Sequence, residues 1–217
     1  MNRFLRLSSV WLILLAACGS PYKNLEKAPN PHQSALKYKP QYDKVLYRCT
    51  VNGHLIFKKF HLSGLLFFKT VENGTVRAIF QNEMGYSFFD FEWDRNDSFK
   101  VNQVIPQLDK PALIKTLRKD FNLLLMKGLN KETESFYSAD GGKWQYSCFN
   151  LDKGVVYYIT NANKLSRIEN AGKRKKVITI DIDGKPTDKA MPDSVFFNHH
   201  KAHFTIALHK IERHADE

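Results

Sequence analysis

From residue 45 to residue 211 the chain repeats one pattern: a short run rich in β-branched and aromatic residues, then a turn signal. Residues 45–51 end at Asn52-Gly53, the strongest short hairpin signal, and residues 54–60 return from it. Residues 65–71 end at Asn73-Gly74, and 75–81 return. Residues 86–93 alternate Phe89, Phe91 and Trp93 against Asp90 and Glu92, and 99–105 follow the Asn96-Asp97 turn. Strand patterns resume at 135–138, 144–150, 155–160, 165–169, 176–182, 194–197 and 204–211. Between the sixth and seventh patterns the period changes. Leu113, Ile114, Leu117, Phe121, Leu124 and Leu125 share one face at helical spacing. Asp109 is placed to cap that helix, Pro111 suits its first turn, and Gly128 supplies a stop. The stripe suits core packing, with a lipid lid as the sharper alternative. The expected fold is mainly β: a curved antiparallel sheet or unclosed barrel of about eleven strands, with one amphipathic helix after the sixth.

The N-terminus follows a different logic. Arg3 and Arg6 precede an apolar run, 10–15, which is followed by Ala16, Ala17 and Cys18. That layout is a secretory signal, and the run is too short for a bilayer core, which needs ~20 residues. Leu15-Ala16-Ala17-Cys18 resembles a lipobox, which implies cleavage before Cys18 and acylation of its sulfur and new amino group. Two or more acyl chains make such an anchor stable. No Asp follows Cys18, which by the same resemblance implies the periplasmic face of the outer membrane. Residues 20–41 are polar, with four prolines, and read as a tether. The expected organisation is 1–17 leader, 18–41 acylated Cys and flexible tether, 42–217 one β domain.

Net charge is +11, and loss of Arg3 and Arg6 with the leader leaves about +9. In an exported chain this charge points to anionic lipid headgroups, not nucleic acid. Lys173-Arg174-Lys175-Lys176 is the one dense basic run and reads as a solvated strand end or a headgroup contact. Cys49 and Cys148 are either a disulfide or two buried thiols, because spacing does not decide between them. His199, His200 and His203 read as a solvated hairpin loop and not a metal site. Asp181-x-Asp183-Gly184 lacks the later ligands of a calcium loop and reads as a turn. No nucleophile–base pair and no phosphate-binding glycine loop is present, so no enzyme and no cofactor is expected.

The stretches 64–69, 76–80 and 83–91, with Phe196-x-x-His199 and Phe204-x-Ile206-x-Leu208, resemble the LolA/LolB-like superfamily. Within it the likeness is to divergent LolB-like outer-membrane lipoproteins and domains of unknown function in Bacteroidetes-type bacteria. The resemblance implies an unclosed barrel around an apolar cavity that takes acyl chains. It implies Phe67, Phe89, Phe91, Leu117 and Phe121 as lining. It also implies an apolar residue on a protruding loop that pushes cargo into the membrane. Met84, in Glu83-Met84-Gly85, matches that residue, although the preceding proline of the family is absent. The implied function is an anchored, monomeric receptor that takes acyl chains or lipoproteins from a periplasmic carrier and helps insert them into the outer membrane. The alternative is a non-catalytic assembly lipoprotein of an envelope complex, with the same fold and a filled interior.

Overall fold

The computed structural model describes residues 20–28, 34–55, 58–184 and 190–212. The leader and Cys18 lie outside them. The described residues form one sheet of thirteen antiparallel strands, where about eleven are expected. In chain order the elements are β1 (Glu26–Lys27), β2 (Lys44–Leu55), β3 (Lys58–Thr70), β4 (Val76–Gln81), β5 (Ser87–Trp93) and β6 (Phe99–Val104). Next come α1 (Pro111–Leu124), β7 (Ser135–Ala139), β8 (Trp144–Asn150), β9 (Val155–Asn161) and β10 (Lys164–Ala171). β11 (Lys176–Asp183), β12 (Ser194–His199) and β13 (Phe204–Lys210) complete the chain. The spatial order is β1-β7-β8-β9-β10-β11-β12-β13-β2-β3-β4-β5-β6, so β1 and β6 are the edges and the barrel is not closed. The last strand, β13, pairs with β2 from Phe204↔Gly53 to Lys210↔Tyr47 and joins the two halves.

Two strands expected between residues 54 and 71 are one. β3 runs unbroken, and Asn52 and Gly53 pair with His61 and Phe60 inside the β2–β3 ladder. Gly53 serves packing instead of turning. A Cβ there would lie 2.3 Å from the Phe60 ring. Gly64 does the same against backbone, since its Cβ would lie 2.1 Å from the Gln81 carbonyl oxygen. Asn73-Gly74 is the turn it reads as, with Gly74 at φ +80° and its N–H donating to Val71 O.

α1 begins with Pro111 at its first position, but Lys110, not Asp109, is the capping residue, and it makes no side-chain cap bond. Its buried side chains are Leu117, Asp120, Phe121, Leu123 and Leu124. They cover the concave face of the sheet. Phe121 meets Phe68 edge-on at 5.5 Å and Trp93 at 6.2 Å between ring centres. The Tyr158 hydroxyl donates to Leu123 O at 2.9 Å, and Trp93 Nε1 donates to Asn122 Oδ1 at 2.7 Å. Burying each such aromatic contributes about 1.5–3 kcal/mol, so this seam accounts for much of the core. Past the end of the helix both Met126, at φ +50°, and Gly128, at φ +67°, take left-handed positions.

Part of the stretch expected to be a tether is docked. Tyr22 stacks on Tyr157 at 3.8 Å and donates to Glu169 Oε2 at 2.5 Å. β1 pairs with β7, and Glu134 accepts from Ser34 Oγ and from the Ala35 N–H. Ala35 is buried in the core.

Cys49 and Cys148 are free thiols, not a disulfide. Five strands separate β2 from β8. Cys49 lies in the concave core with Tyr47, whereas Cys148 pairs with Tyr157 on the convex face. Burial pushes both thiols up to about 12, which leaves them protonated and inert at neutral pH.

Candidate functional site

Strand alternation decides where the expected lining residues go. On β3, Leu66 and Phe68 are buried and face α1, so Phe67 faces the other way, half-buried, with the Lys44 ammonium 5.4 Å from its ring centre. The other four are brought together. Phe89 stacks on Phe91 at 4.4 Å and lies 6.0 Å from Phe121, and Leu117 is buried in the same cluster. These side chains pack ring against ring, with α1 closed over them.

A cavity of about 460 Å³ lies elsewhere, at one end of the sheet, between β2, β3 and the start of β13. Gly53, Phe60 and Phe204 give it apolar walls, and His54, Lys59 and His203 give it a polar rim. The absent side chain of Gly53 helps make this space. A volume of this size falls in the range of ligand sites, ~300–1,000 Å³.

Phe204 also connects the cavity to the core. Its ring stacks on His199 at 3.9 Å. His199 Nε2 approaches Asp120 Oδ2 on α1 to 3.0 Å, with both side chains almost fully buried. Neither atom makes a well-aligned hydrogen bond in this geometry. Burial holds the Asp120 carboxyl above its ordinary range, while His199 and Lys119 pull the other way. His199 is thus a core residue and not part of a solvated loop. His200 bonds Thr179 Oγ1 at 2.8 Å, and His203 sits in the turn. The three histidines diverge, and among the described residues no group of three His, Cys, Asp or Glu side chains is placed to hold a metal ion. The Asp120–His199 pair escapes sequence reading because Asp120 interrupts an apolar stripe and its partner is 79 positions away.

Met84 is 93% exposed at the tip of the β4–β5 hairpin. The tip is held, not loose. Asn82 Oδ1 accepts from the Met84 N–H at 3.0 Å and from the Tyr86 N–H at 2.9 Å. Gly85 turns at φ +85°, the left-handed value that glycine adopts without strain. Tyr86 beside it is 58% exposed.

This curled, unclosed sheet with a helix across its concave face has a counterpart among solved structures. A LolA superfamily protein from Nitrosomonas europaea superposes with a TM-score of 0.51 at 10% identity, over 82% of this chain and 89% of that one. The chain has a LolA/LolB-like fold. Two further structures align with this LolA-like chain at lower scores. One, from Vibrio parahaemolyticus, is described as an outer membrane lipoprotein-sorting protein domain (TM-score 0.46, 8% identity, 84% of this chain and 91% of that one). The other is a DUF1329 family protein from Desulfovibrio piger (TM-score 0.40, 7% identity, 81% and 88%). No family model and no curated protein sequence matches the chain. The LolA-like likeness is therefore one of fold, with its side chains almost wholly replaced.

Proposed function

We propose that this chain is an outer-membrane lipoprotein, anchored through acylated Cys18, that binds acyl chains or acylated lipoproteins and helps insert them into the membrane. The observation that carries the reading is Met84: a large apolar side chain, 93% exposed, pinned on a rigid hairpin tip of a LolA-like sheet. An exposed apolar side chain on a fixed tip suits transient burial among lipid tails. In this reading acyl chains enter first at the cavity beside Gly53, Phe60 and Phe204. They reach Phe89, Phe91, Leu117 and Phe121 when α1 lifts. Apolar walls hold alkyl chains without directional bonds, in proportion to the area they remove from water. The protein acts by binding, as a monomer, and receives cargo from a periplasmic carrier.

A second reading has its own support. The rings beneath α1 are packed at 4.4–6.2 Å, which fits an assembly lipoprotein with a filled interior. Depletion followed by envelope fractionation separates the two. Delivery predicts that other lipoproteins accumulate away from the outer membrane; unchanged sorting removes the receptor reading. Met84→Glu should leave stability within about 0.5 kcal/mol, as for an exposed site, and reduce cargo insertion. Unchanged transfer would exclude the tip role. Palmitate labelling that survives Cys18→Ser would exclude the anchor.

A further inference from the structure

The ladders fix which turns share an end of the sheet. Asn150 pairs with Val155, Ala171 with Lys176, Phe204 with Gly53, and Gln81 with Ser87. The turns at 151–154, 172–175, 200–203 and 82–86 therefore follow one another along one rim. The turns at 71–75, 94–98, 140–143 and 162–163, with Gly184 and residues 190–193, form the opposite rim.

The two rims differ in charge. The first carries Lys153, Lys173, Arg174, Lys175 and Lys201, all exposed, against Asp152 and Glu83. No ion pair joins any of the five cations to another described residue. Among the described residues, the opposite turns carry Glu72, Asp94, Asp97, Asp140 and Asp193 against Arg95 and Lys143, and by sequence the 185–189 stretch adds Lys185, Asp188 and Lys189. The cationic rim also holds the exposed Met84 tip and the mouth region of the 460 Å³ cavity.

The chain's N-terminal segment arrives at the same rim. Tyr22 lies over Tyr157 near the start of β9, and Lys176, the residue after the basic turn, lies with its ammonium 5.8 Å from the Tyr22 ring centre. Glu169 accepts from both, at 2.5 Å from the Tyr22 hydroxyl and 2.7 Å from Lys176. Cys18 is four residues before Tyr22, a reach of at most about 14 Å.

We propose that this rim is a membrane-docking surface for an anionic phospholipid bilayer. Lys173, Arg174 and Lys175 meet headgroup phosphates beside the entry point of the Cys18 acyl chains, and Met84 points at the same bilayer. The part played by Cys18 rests on the function proposed above; the charge asymmetry and the position of Met84 do not. Attraction of exposed cations to anionic lipid extends about one Debye length, ~8 Å at physiological salt. Cations gathered on one rim therefore orient the body as well as bind it. A cavity beside that rim releases its occupant toward lipid and not toward water.

The test uses the mature polypeptide from residue 18 with Cys18→Ser, which carries no acyl chain. It is sedimented with vesicles of phosphatidylethanolamine and phosphatidylglycerol, and with vesicles of phosphatidylcholine alone. Binding to the anionic vesicles should exceed binding to the neutral ones by roughly tenfold or more, and high salt should abolish the difference. Lys173→Glu with Lys175→Glu should remove most of the binding. Arg95→Glu with Lys143→Glu changes net charge equally at the opposite rim and should remove little. Equal loss in both pairs, or no preference for anionic vesicles, would overturn the docking surface. A Met84→Glu chain that still binds these vesicles but transfers no cargo separates the two roles. Normal lipoprotein sorting after depletion, alongside intact vesicle binding, would remove the delivery reading and leave the rim standing.

Discussion

Asp120 is the residue whose burial needs the most explanation. It is 1% exposed on the core face of α1, and His199 of β12 is its near neighbour in charge. Taking one partner away leaves a buried titratable group without its neighbour in a dry interior. His199→Leu is therefore expected to cost about 3–5 kcal/mol in urea unfolding. Asp120→Leu combined with His199→Leu should recover most of that loss. A double variant no more stable than the single would mean that the pair does not act as a unit. The pH dependence follows from desolvation, which raises the Asp120 pKa above its ordinary 3.8 in the folded state. The folded chain thus holds this proton more tightly than the unfolded chain does. The stability it contributes is fully present below 3.8 and is lost as pH rises through the raised folded value. Asp120→Asn should flatten that acid-side decline, and an unaltered slope would assign it to other groups.

At the scale of elements, glycines separate what was legible from what was not. Asn73-Gly74 and Asn52-Gly53 carry the same turn dipeptide, yet only the first turns. A dipeptide reports local preference, while the β2–β3 ladder is set by twelve cross-strand pairs that carry it past Gly53. Gly74→Ala meets only strain at φ +80°, with Arg95 Cβ at 3.8 Å, and is expected to cost about 1 kcal/mol. Gly64→Ala drives a methyl toward the Gln81 carbonyl at 2.1 Å. Backbone in a paired strand cannot give way, so a loss of about 3 kcal/mol is expected. Thermal unfolding of the two variants that ranks them the other way would place the β3–β4 contact outside the rigid core. The same limit explains Phe67. In a run such as Leu65-Leu66-Phe67-Phe68 both faces are apolar, so the sequence pattern does not set the phase, and it is α1 that selects Leu66 and Phe68. By contrast, the polar partners Asp90 and Glu92 alternate with Phe89, Phe91 and Trp93; the three aromatics are buried as the alternation implies, while Asp90 is buried too, paired with Arg77. The helix was legible from its stripe. β1 was not, because a two-residue edge strand among prolines leaves no period to read.

For the whole molecule, the decisive connection is β13 to β2. Strands β2–β6 are built before α1 in the sequence, and β7–β12 after it, so each half could fold by local hairpins alone. β13 binds the halves through seven cross-strand pairs, and its Ile206 and Leu208 are buried in the shared core. α1 adds a second bond across the same seam, through Tyr158 to Leu123 on one side and Trp93 to Asn122 on the other. A sheet joined in this way should unfold as one unit. Besides Trp11, the chain carries one tryptophan in each half, Trp93 in β5 and Trp144 in β8. Trp144→Phe and Trp93→Phe leave single reporters, and each compared with circular dichroism in the same variant should give coincident urea midpoints. Leu208→Asp, which places a charge in the seam, should lower both midpoints together. Separate transitions at Trp93 and Trp144 in the unaltered seam would instead make the halves independent. In that case α1 and β13 would act as a hinge between two sheets, and the interior beneath the helix could open without unfolding either one.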